Sequence, residues 1–534
     1  MKPVLYKFIT FSVVSSLLLG FFNWVWFPSV LLWIILGPIL ILGYADIFQK
    51  QRAIIRNFPI FGHLRYILES VRPEIQQYFV EDNINGRPIS REMRSVVYQR
   101  SKNQLQTVPF GTQRDVYGVN YEWVDHSMVP QDVDHRDVRV LVGNQQCEKP
   151  YSASILNISA MSYGALSNRA VLALNAGAKR GGFAHNTGEG GISPYHLKEE
   201  GNLIWQIGTG YFGCRTLDGK FDPGLFKKNA LRPSVKMVEL KISQGAKPGH
   251  GGILPAAKVN QEIAKIRNVP LGQDVISPPG HAAFHTPIEL LEFIQKLREL
   301  SGGKPVGFKL CIGKRREFIS ICKAMLETGI RPDFITVDGG EGGTGAAPLE
   351  FTNSIGMPME DGLVFVKDML MGFGLANDIK IIAVGKVFTA FHIICRIALG
   401  ADLCYSARGF MLSLGCIQAL SCHTNGCPTG ITTNNPQLVR GLDVGLKSER
   451  VYRFHQATLV ALAEMIGAMG ISTTDDIKRR HINRRINRKD TMTYEDLYPS
   501  IHYGEFLAGE IPDKYHRYVH AADSSTFTRS IHVG

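Results

Sequence analysis

No two of the nine cysteines in this 534-residue chain stand at the two-residue spacing of a zinc knuckle. Six of them, Cys147, Cys214, Cys311, Cys322, Cys395 and Cys404, are scattered singly. That pattern excludes a disulfide scaffold and reads as a reduced, cytoplasmic protein. A glycine-rich nicotinamide-binding βαβ unit is also missing, as is any recognisable nucleic-acid-binding motif, so no nucleic-acid partner is expected. With 45% hydrophobic and 20% charged residues the chain does not lack a core, which excludes global disorder. Charge is missing from one place altogether: no residue between Lys7 and Asp46 carries any.

That uncharged run is about twice the length of one membrane span. Near its middle lie Asn23, Trp24, Trp26, Phe27, Pro28 and Ser29, a polar, aromatic and proline-containing place to turn. It reads as a helical hairpin of two spans, 8–26 and 29–46, with tryptophans at the interface. It is too long for a cleaved signal peptide and lacks a small-residue cleavage site. Lys2 and Lys7 precede the run and Lys50, Arg52 and Arg56 follow it, while the turn is uncharged. The positive-inside rule then puts both ends in the cytoplasm, which predicts an inner-membrane protein, a membrane-lipid partner and a cytoplasmic catalytic body. No later apolar run approaches a span.

Residues 57–150 give a weak secondary-structure signal; RPEIQQYF (72–79) and PFGTQRD (109–115) read as irregular wrapping segments. From 154 short apolar runs alternate with helical patterns. They are 154–160, 182–191, 203–210, 237–243, 274–279, 305–313, 333–340, 379–386 and 402–409. This alternation predicts a parallel sheet, and nine runs with one of them a loop predict an α/β (β/α)8 TIM barrel. In that fold the chemistry sits on loops after the strands. Gly339 and Gly340 open a flexible glycine-rich loop, DGGEGGTGAA (338–347), expected to leave backbone N–H groups free for a ligand. Gly385 with Lys386, and Ser406, Ala407 and Arg408, follow the last two strands, where such barrels bind phosphate. Lys309 ends an inward-pointing strand and needs a partner such as an electron-rich ring.

Two features stand outside this pattern. KRRHINRRINRK (478–489) holds seven basic residues and no acid. It reads as a solvated basic helix or as a docking face for an acidic partner or anionic membrane. Cys416, Cys422 and Cys427 are separated by five and then four intervening residues. By themselves they allow zinc, a redox thiol or an iron–sulfur cluster; three thiolates leave a tetrahedron one short.

AMSYGALS (160–167), NTGEGG (186–191), KISQGAKPGHGGILP (241–255), DGGEGGTGA (338–346) and CIQALSCHTNGCPTG (416–430) resemble, in order and spacing, the FMN-binding synthase domain of glutamate synthase. The likeness covers about 150–470 and is strongest to single-chain FMN-binding glutamate synthase family proteins. It implies FMN, a [3Fe–4S] cluster, and reductive formation of L-glutamate from 2-oxoglutarate and ammonia through 2-iminoglutarate. By motif, Ala160, Met161, Ser162 and Gln206 would flank the flavin, Lys309 would lie near its ring, and Gly385, Lys386 and Ser406–Arg408 would take its phosphate. Cys416, Cys422 and Cys427 match cluster ligands. Gln244, Lys247 and Arg267 match substrate-binding positions, and Lys241 and Glu189 match catalytic ones. A cationic pair for a dicarboxylate and an acid at Lys241 suit the reduction of an imine.

Three departures qualify this. His250 replaces a glutamate of the family, and SPPGHAA (277–283) loses a His–Asp pair to Ala282 and Ala283. The glutaminase domain is expected to be lacking, with ammonia or a separate amidotransferase supplying nitrogen. Electrons are expected from a protein donor, ferredoxin-like or a reductase, through the cluster. The competing readings are a related FMN enzyme acting on another imine or an N-alkylglutamate, and a non-catalytic membrane electron-transfer subunit. The expected organisation is a membrane anchor (1–56), a wrapping segment (57–150), the barrel with its iron–sulfur motif (151–470) and a basic extension (471–534).

Overall fold

Residues 2–528 are described in a computed structural model. They divide after Pro88 into two compact units.

In the first, helices Lys2–Val25 and Trp33–Phe48 are joined by a 3₁₀ turn, Phe27–Leu32, with Pro28 in its first turn where a missing N–H costs nothing. Two stretches, Val4–Val25 and Phe27–Phe48, are long and apolar enough to cross a membrane. The helices meet where Phe8 packs edge-on to Tyr44 at 5.7 Å, Gly43 makes room for the Phe8 ring, and the Ser12 and Tyr44 hydroxyls bond at 3.0 Å. The segment 72–79, expected to be irregular, is instead helical: an α-turn, Arg72–Ile75, runs into a π-turn, Gln76–Val80.

The second unit holds the barrel. Its strands are β1 (Leu156–Ile158), β2 (His185–Asn186), β3 (Leu203–Ile207), β4 (Val235–Lys241), β5 (Val306–Cys311), β6 (Phe334–Asp338), β7 (Lys380–Val384) and β8 (Leu403–Ser406). Each pairs in parallel with the next, and β8 closes on β1 with Cys404 opposite Leu156. The chain is therefore an eight-stranded TIM barrel. The strands read as near-continuous apolar runs because helices cover one face and the barrel interior the other. The ninth run is not a barrel strand: Val275–Ile276 pairs antiparallel with Ile253–Leu254 beside the barrel. Helix Val444–Ala468 packs on helix Asn168–Gly181 at Gly177, where a Cβ would lie 2.5 Å from a Val451 methyl.

The basic run at 478–489 is not a solvated helix. Ile482–Arg485 is the central strand of an antiparallel sheet between Glu122–Val124 and Thr491–Thr493. Arg479 is buried against Asp368 at 3.1 Å, and Arg484 bridges Glu122 at 2.6 Å and Glu360 at 2.9 Å. Acids distant in sequence neutralise charges that look unbalanced along the chain.

Candidate active site

The carboxyl ends of β4, β5 and β6 bring three charged side chains to the barrel rim. Lys241 is the last residue of β4 and stands in register with Lys309 of β5. Its Nζ lies 2.7 Å from Glu189 Oε1 and donates to Gln244 Oε1 at 3.0 Å. Glu189 is boxed in by two glycines: a Cβ on Gly208 would collide with its Oε2, and one on Gly252 would lie 2.7 Å from its Oε1. Its Oε2 is buried with no hydrogen-bond partner among the described residues. Burial pushes this carboxyl up, but Lys241, Arg267 and Lys247 outweigh burial and hold it below the usual range, so it is anionic.

Lys309 pairs with Asp338 at 3.0 Å, so its partner within the chain is a carboxylate rather than a ring. Burial works against the ammonium, but Asp338, Glu239 and Glu189 keep its pKa above the ordinary lysine value. Asp338 also accepts from the N–H groups of Gly245 and Gly339, each at 3.0 Å. Gly340 N–H donates to Met357 O at 2.8 Å and Gly342 N–H to Gly339 O at 2.9 Å. The backbone donors expected to be free at the start of the 338–347 loop are thus used to fold it. Its glycines serve close packing instead, since a Cβ on Gly339 would collide with Met359 Cβ and one on Gly340 would lie 2.8 Å from Gly356 O.

Lys247 is no solvated loop lysine: it is 2% exposed and donates to Ala346 O at 3.1 Å. Burial pulls its pKa down to about 8, opposed by Glu189 and aided by Lys241. Arg267, last in the helix Gln261–Arg267, gives its Nη2 to Ser162 Oγ at 3.3 Å and Tyr163 O at 3.1 Å. Its buried Nε has no partner among the described residues, and burial lowers its pKa to about 10 despite Glu189. Gln244, Lys247, Lys241 and Glu189 are therefore neighbours, while Arg267 reaches them from behind the loop after β1.

The other predicted residues ring the same mouth. Ala160, Met161 and Ser162 follow β1, and a Cβ on Gly188 would lie 2.6 Å from Ser162 N. Gln206 of β3 points into the barrel and donates to Glu239 Oε1 at 2.7 Å. After β7, Gly385 and Lys386 take positive φ values of 150° and 49°. Ser406 Oγ spends its proton on Val387 O at 2.6 Å, while Ala407 leads into the helix Arg408–Leu414. Arg408 donates to Glu341 O at 3.4 Å, with Gly343 lying against its guanidinium.

The cysteine loop folds onto this rim. Lys258 Nζ donates to Cys422 O at 2.7 Å and Thr432 O at 2.8 Å, and Asn425 Nδ2 donates to Ala257 O at 3.0 Å. Tyr98 OH donates to Cys416 O at 2.5 Å. A Cβ on Gly345 would lie 3.0 Å from Cys422 Cβ, so the loop after β6 touches the cysteines. Burial raises the Cys416 thiol to about 11, and Cys422 and Cys427 add to that rise. Burial opposes ionisation of Cys427 too, but hydrogen bonds from Thr429 and Thr432 prevail and bring it to about 7. Among the described residues no three His, Cys, Asp or Glu side chains are already drawn together as a metal site.

Sequence reasoning missed two groups. Glu239, wholly buried in β4, accepts from Asn186 Nδ2 at 2.8 Å, Gln206 Nε2 at 2.7 Å and Thr336 Oγ1 at 2.6 Å. Its signal was present in MVELK: an acid two residues before Lys241 shares its inward face. His281 sits behind Lys241, its Nε2 donating to Lys241 O at 2.8 Å while its Nδ1 meets Tyr211 OH at 3.1 Å. Of the departures, His250 turns to its own loop, donating from Nδ1 to Gly251 O at 2.9 Å and standing edge-on to Phe351. Ala282 and Ala283 lie next to His281, and Ala283 N–H donates to Tyr211 OH at 3.1 Å.

Residues 110–472 match the family model described as a conserved region in glutamate synthase. The chain belongs to the glutamate synthase family. It is 38% identical over 475 residues to the glutamate synthase large subunit-like protein YerD of Bacillus subtilis, covering 81% of this chain and 90% of that protein. It is 35% identical over 322 residues to the archaeal glutamate synthase [NADPH] of Methanocaldococcus jannaschii, covering 60% of each chain. This family member is an oxidoreductase of the glutamate synthase type. Among solved structures, a flavocytochrome b2 with sulfite bound matches with TM-score 0.42 and 12% identity, over 78% of this chain and 85% of that one. That likeness is too distant to add to the strand order.

Proposed function

We propose that the chain is a membrane-anchored enzyme that reduces the imine formed from 2-oxoglutarate and ammonia to L-glutamate. The observation that carries this reading is the rim cluster: Lys241 held between Glu189 and Gln244, with buried Lys247 beside them. A dicarboxylate in this pocket meets the Lys247 ammonium, the Gln244 amide and the remaining Nε of Arg267, each with a distinct geometry of donation.

The residues present fit FMN. Gly385 and Lys386 turn the chain back after β7, Arg408 offers a guanidinium across Gly343, and Lys309 stays cationic in the rim. In this reading Ala160, Met161, Ser162 and Gln206 flank the flavin, Lys309 faces its ring, and Gly385, Lys386 and Ser406–Arg408 form the phosphate side. FMN, when bound, supplies the hydride to the imine carbon. Glu189 Oε1 pairs with Lys241 Nζ and orients it, and the unpartnered Oε2 accepts a hydrogen bond from an N–H of the incoming ammonia. Lys241 Nζ then delivers a proton to the amino nitrogen as the carbon is reduced. His281 fixes the backbone from which Lys241 projects.

Cys416, Cys422 and Cys427, three thiols on one loop folded against the rim, would be the ligands of a three-iron cluster, which would draw their sulfurs together on binding. Lys258 beside Cys422 and Cys427 offsets the negative charge such a site accumulates. In this reading the cluster passes electrons from a protein donor, ferredoxin-like or a reductase, and the helices of the first unit anchor the chain in the inner membrane with the barrel in the cytoplasm.

Purified full-length protein tests this in two steps. Absorption and EPR spectra should report flavin and a three-iron signal together. Given a reduced donor, ammonia and 2-oxoglutarate, the protein should form glutamate. Flavin that is reduced yet never yields glutamate would overturn the substrate assignment.

A further inference from the structure

The first unit carries an apolar face that its two long helices do not use. We infer that residues 62–80 form an amphipathic helix lying on the anionic headgroup surface of the bilayer, a second lipid contact beside the transmembrane hairpin. The inference rests on the membrane reading proposed above and adds to it.

The start of this segment is bolted to the end of the second long helix. Asp46 is 4% exposed; its Oδ2 accepts from Ile60 N–H at 2.8 Å and its Oδ1 meets His63 Nε2 at 2.8 Å. Ile60 takes a φ of 66°, a conformation a β-branched residue adopts only when its surroundings impose it. Arg52 lies over the Tyr66 ring at 4.4 Å, and a Cβ on Gly62 would lie 2.7 Å from Ile55 Cα, so the backbones touch. Four independent contacts thus set where helix Gly62–Ser70 leaves the hairpin. That place is the end of a span, the level of the headgroups.

From there the chain runs helically to Val80 with one break, at Val71, over roughly 28 Å at 1.5 Å per residue. Gly62, His63 and Tyr66 face back toward the hairpin end. Leu64, Ile67, Leu68, Val71, Ile75 and Phe79 recur at helical spacing along one side, and all are exposed, Leu68 by 52% and Phe79 by 85%. A stripe at i, i+3, i+4 and i+7 normally buries against a core; this one is left exposed. Arg65 and Glu69 occupy the flank and pair with each other at 2.8 Å. Between 50 and 80 the chain has five lysines and arginines against two acids; Arg65 and Arg72 balance Glu69 and Glu74 within the helix, so the excess comes from Lys50, Arg52 and Arg56 at the hairpin end. An apolar stripe that starts beside the basic residues Lys50, Arg52 and Arg56, at fixed headgroup depth, matches an anionic lipid surface. A second copy of the chain would have no use for the positive charge, because both partners would carry it.

The test uses the full chain in vesicles of phosphatidylcholine with or without phosphatidylglycerol. An environment-sensitive fluorescent amino acid replaces Leu68, Glu69 or, in the first long helix, Leu18. Emission from position 68 should shift to the blue and be quenched by nitroxide-labelled lipids, as at 18, while 69 stays water-like. Omitting phosphatidylglycerol should weaken the quenching at 68 but not at 18. If 18 is quenched and 68 is not, the anchor stands and the lipid-facing helix is refuted. A blue shift at 68 that grows with protein concentration without lipid quenching also refutes it, in favour of self-association. If neither position is quenched, the membrane reading falls and this inference with it.

Discussion

Replacing Lys247 with glutamine tests the substrate assignment at its most exposed point. The ammonium is buried, donates to Ala346 O at 3.1 Å, and has a pKa pulled down to about 8 by burial. A bound dicarboxylate would supply a charge-assisted hydrogen bond, which contributes about 1.5–3 kcal/mol. Lys247→Gln should therefore weaken 2-oxoglutarate binding roughly ten- to a hundredfold. The wild-type protein should also lose affinity with rising pH. About nine-tenths of Lys247 is charged one unit below its pKa and about one-tenth one unit above, so affinity falls about tenfold between about pH 7 and pH 9. Stability moves the other way. The folded state holds this lysine below its ordinary value of 10.5, so burying the charged form costs stability. That cost is complete below about pH 8 and fades toward the ordinary value, so the fold gains over the range in which binding weakens. Unfolding therefore does not account for the loss. Titration of the flavin spectrum with 2-oxoglutarate at several pH values measures both effects. The reasoning is refuted if Lys247→Gln binds within twofold of wild type, or if the variant keeps the same pH slope.

Cys422→Ser should abolish the three-iron EPR signal while flavin absorption remains; an unchanged signal would remove Cys422 from the ligand set. Gly208→Ala drives a methyl into Glu189 Oε2, and breaking the pair with Lys241 should lower kcat on the order of a hundredfold with far-UV dichroism unchanged. A variant with normal kcat would show that the pair is not needed. Asp333→Ala strands buried Arg298, which lies 3.1 Å from the carboxylate, and should cost about 3–5 kcal/mol in urea unfolding. A loss below about 1 kcal/mol would mean that water or another acid takes over the arginine.

The barrel could be read before the structure because strands and helices differ in local pattern, and each strand here brought its own apolar run and loop glycines. The long uncharged run was legible for the same reason. Side-chain partners were not. Lys309 was recognisable as an inward lysine, but Asp338 reaches it only because β5 and β6 lie side by side. The Gly339 and Gly340 amides looked available in a glycine-rich string and are consumed once Asp338 and Met357 come into place. Val275–Ile276 has a strand's composition but no place in the closed sheet, since eight strands already complete it.

The sequence by itself determined the alternation that builds the barrel, the motifs that mark the family, and the two apolar helices, because each depends on residues near one another in the chain. Only the tertiary structure decided which charges are neutralised. Arg484 is central to a sheet because Glu122 and Glu360 arrive from far along the chain, and His281 stands behind Lys241 although forty residues separate them. Burial makes such pairings strong, and burial is a property of the whole fold rather than of any segment.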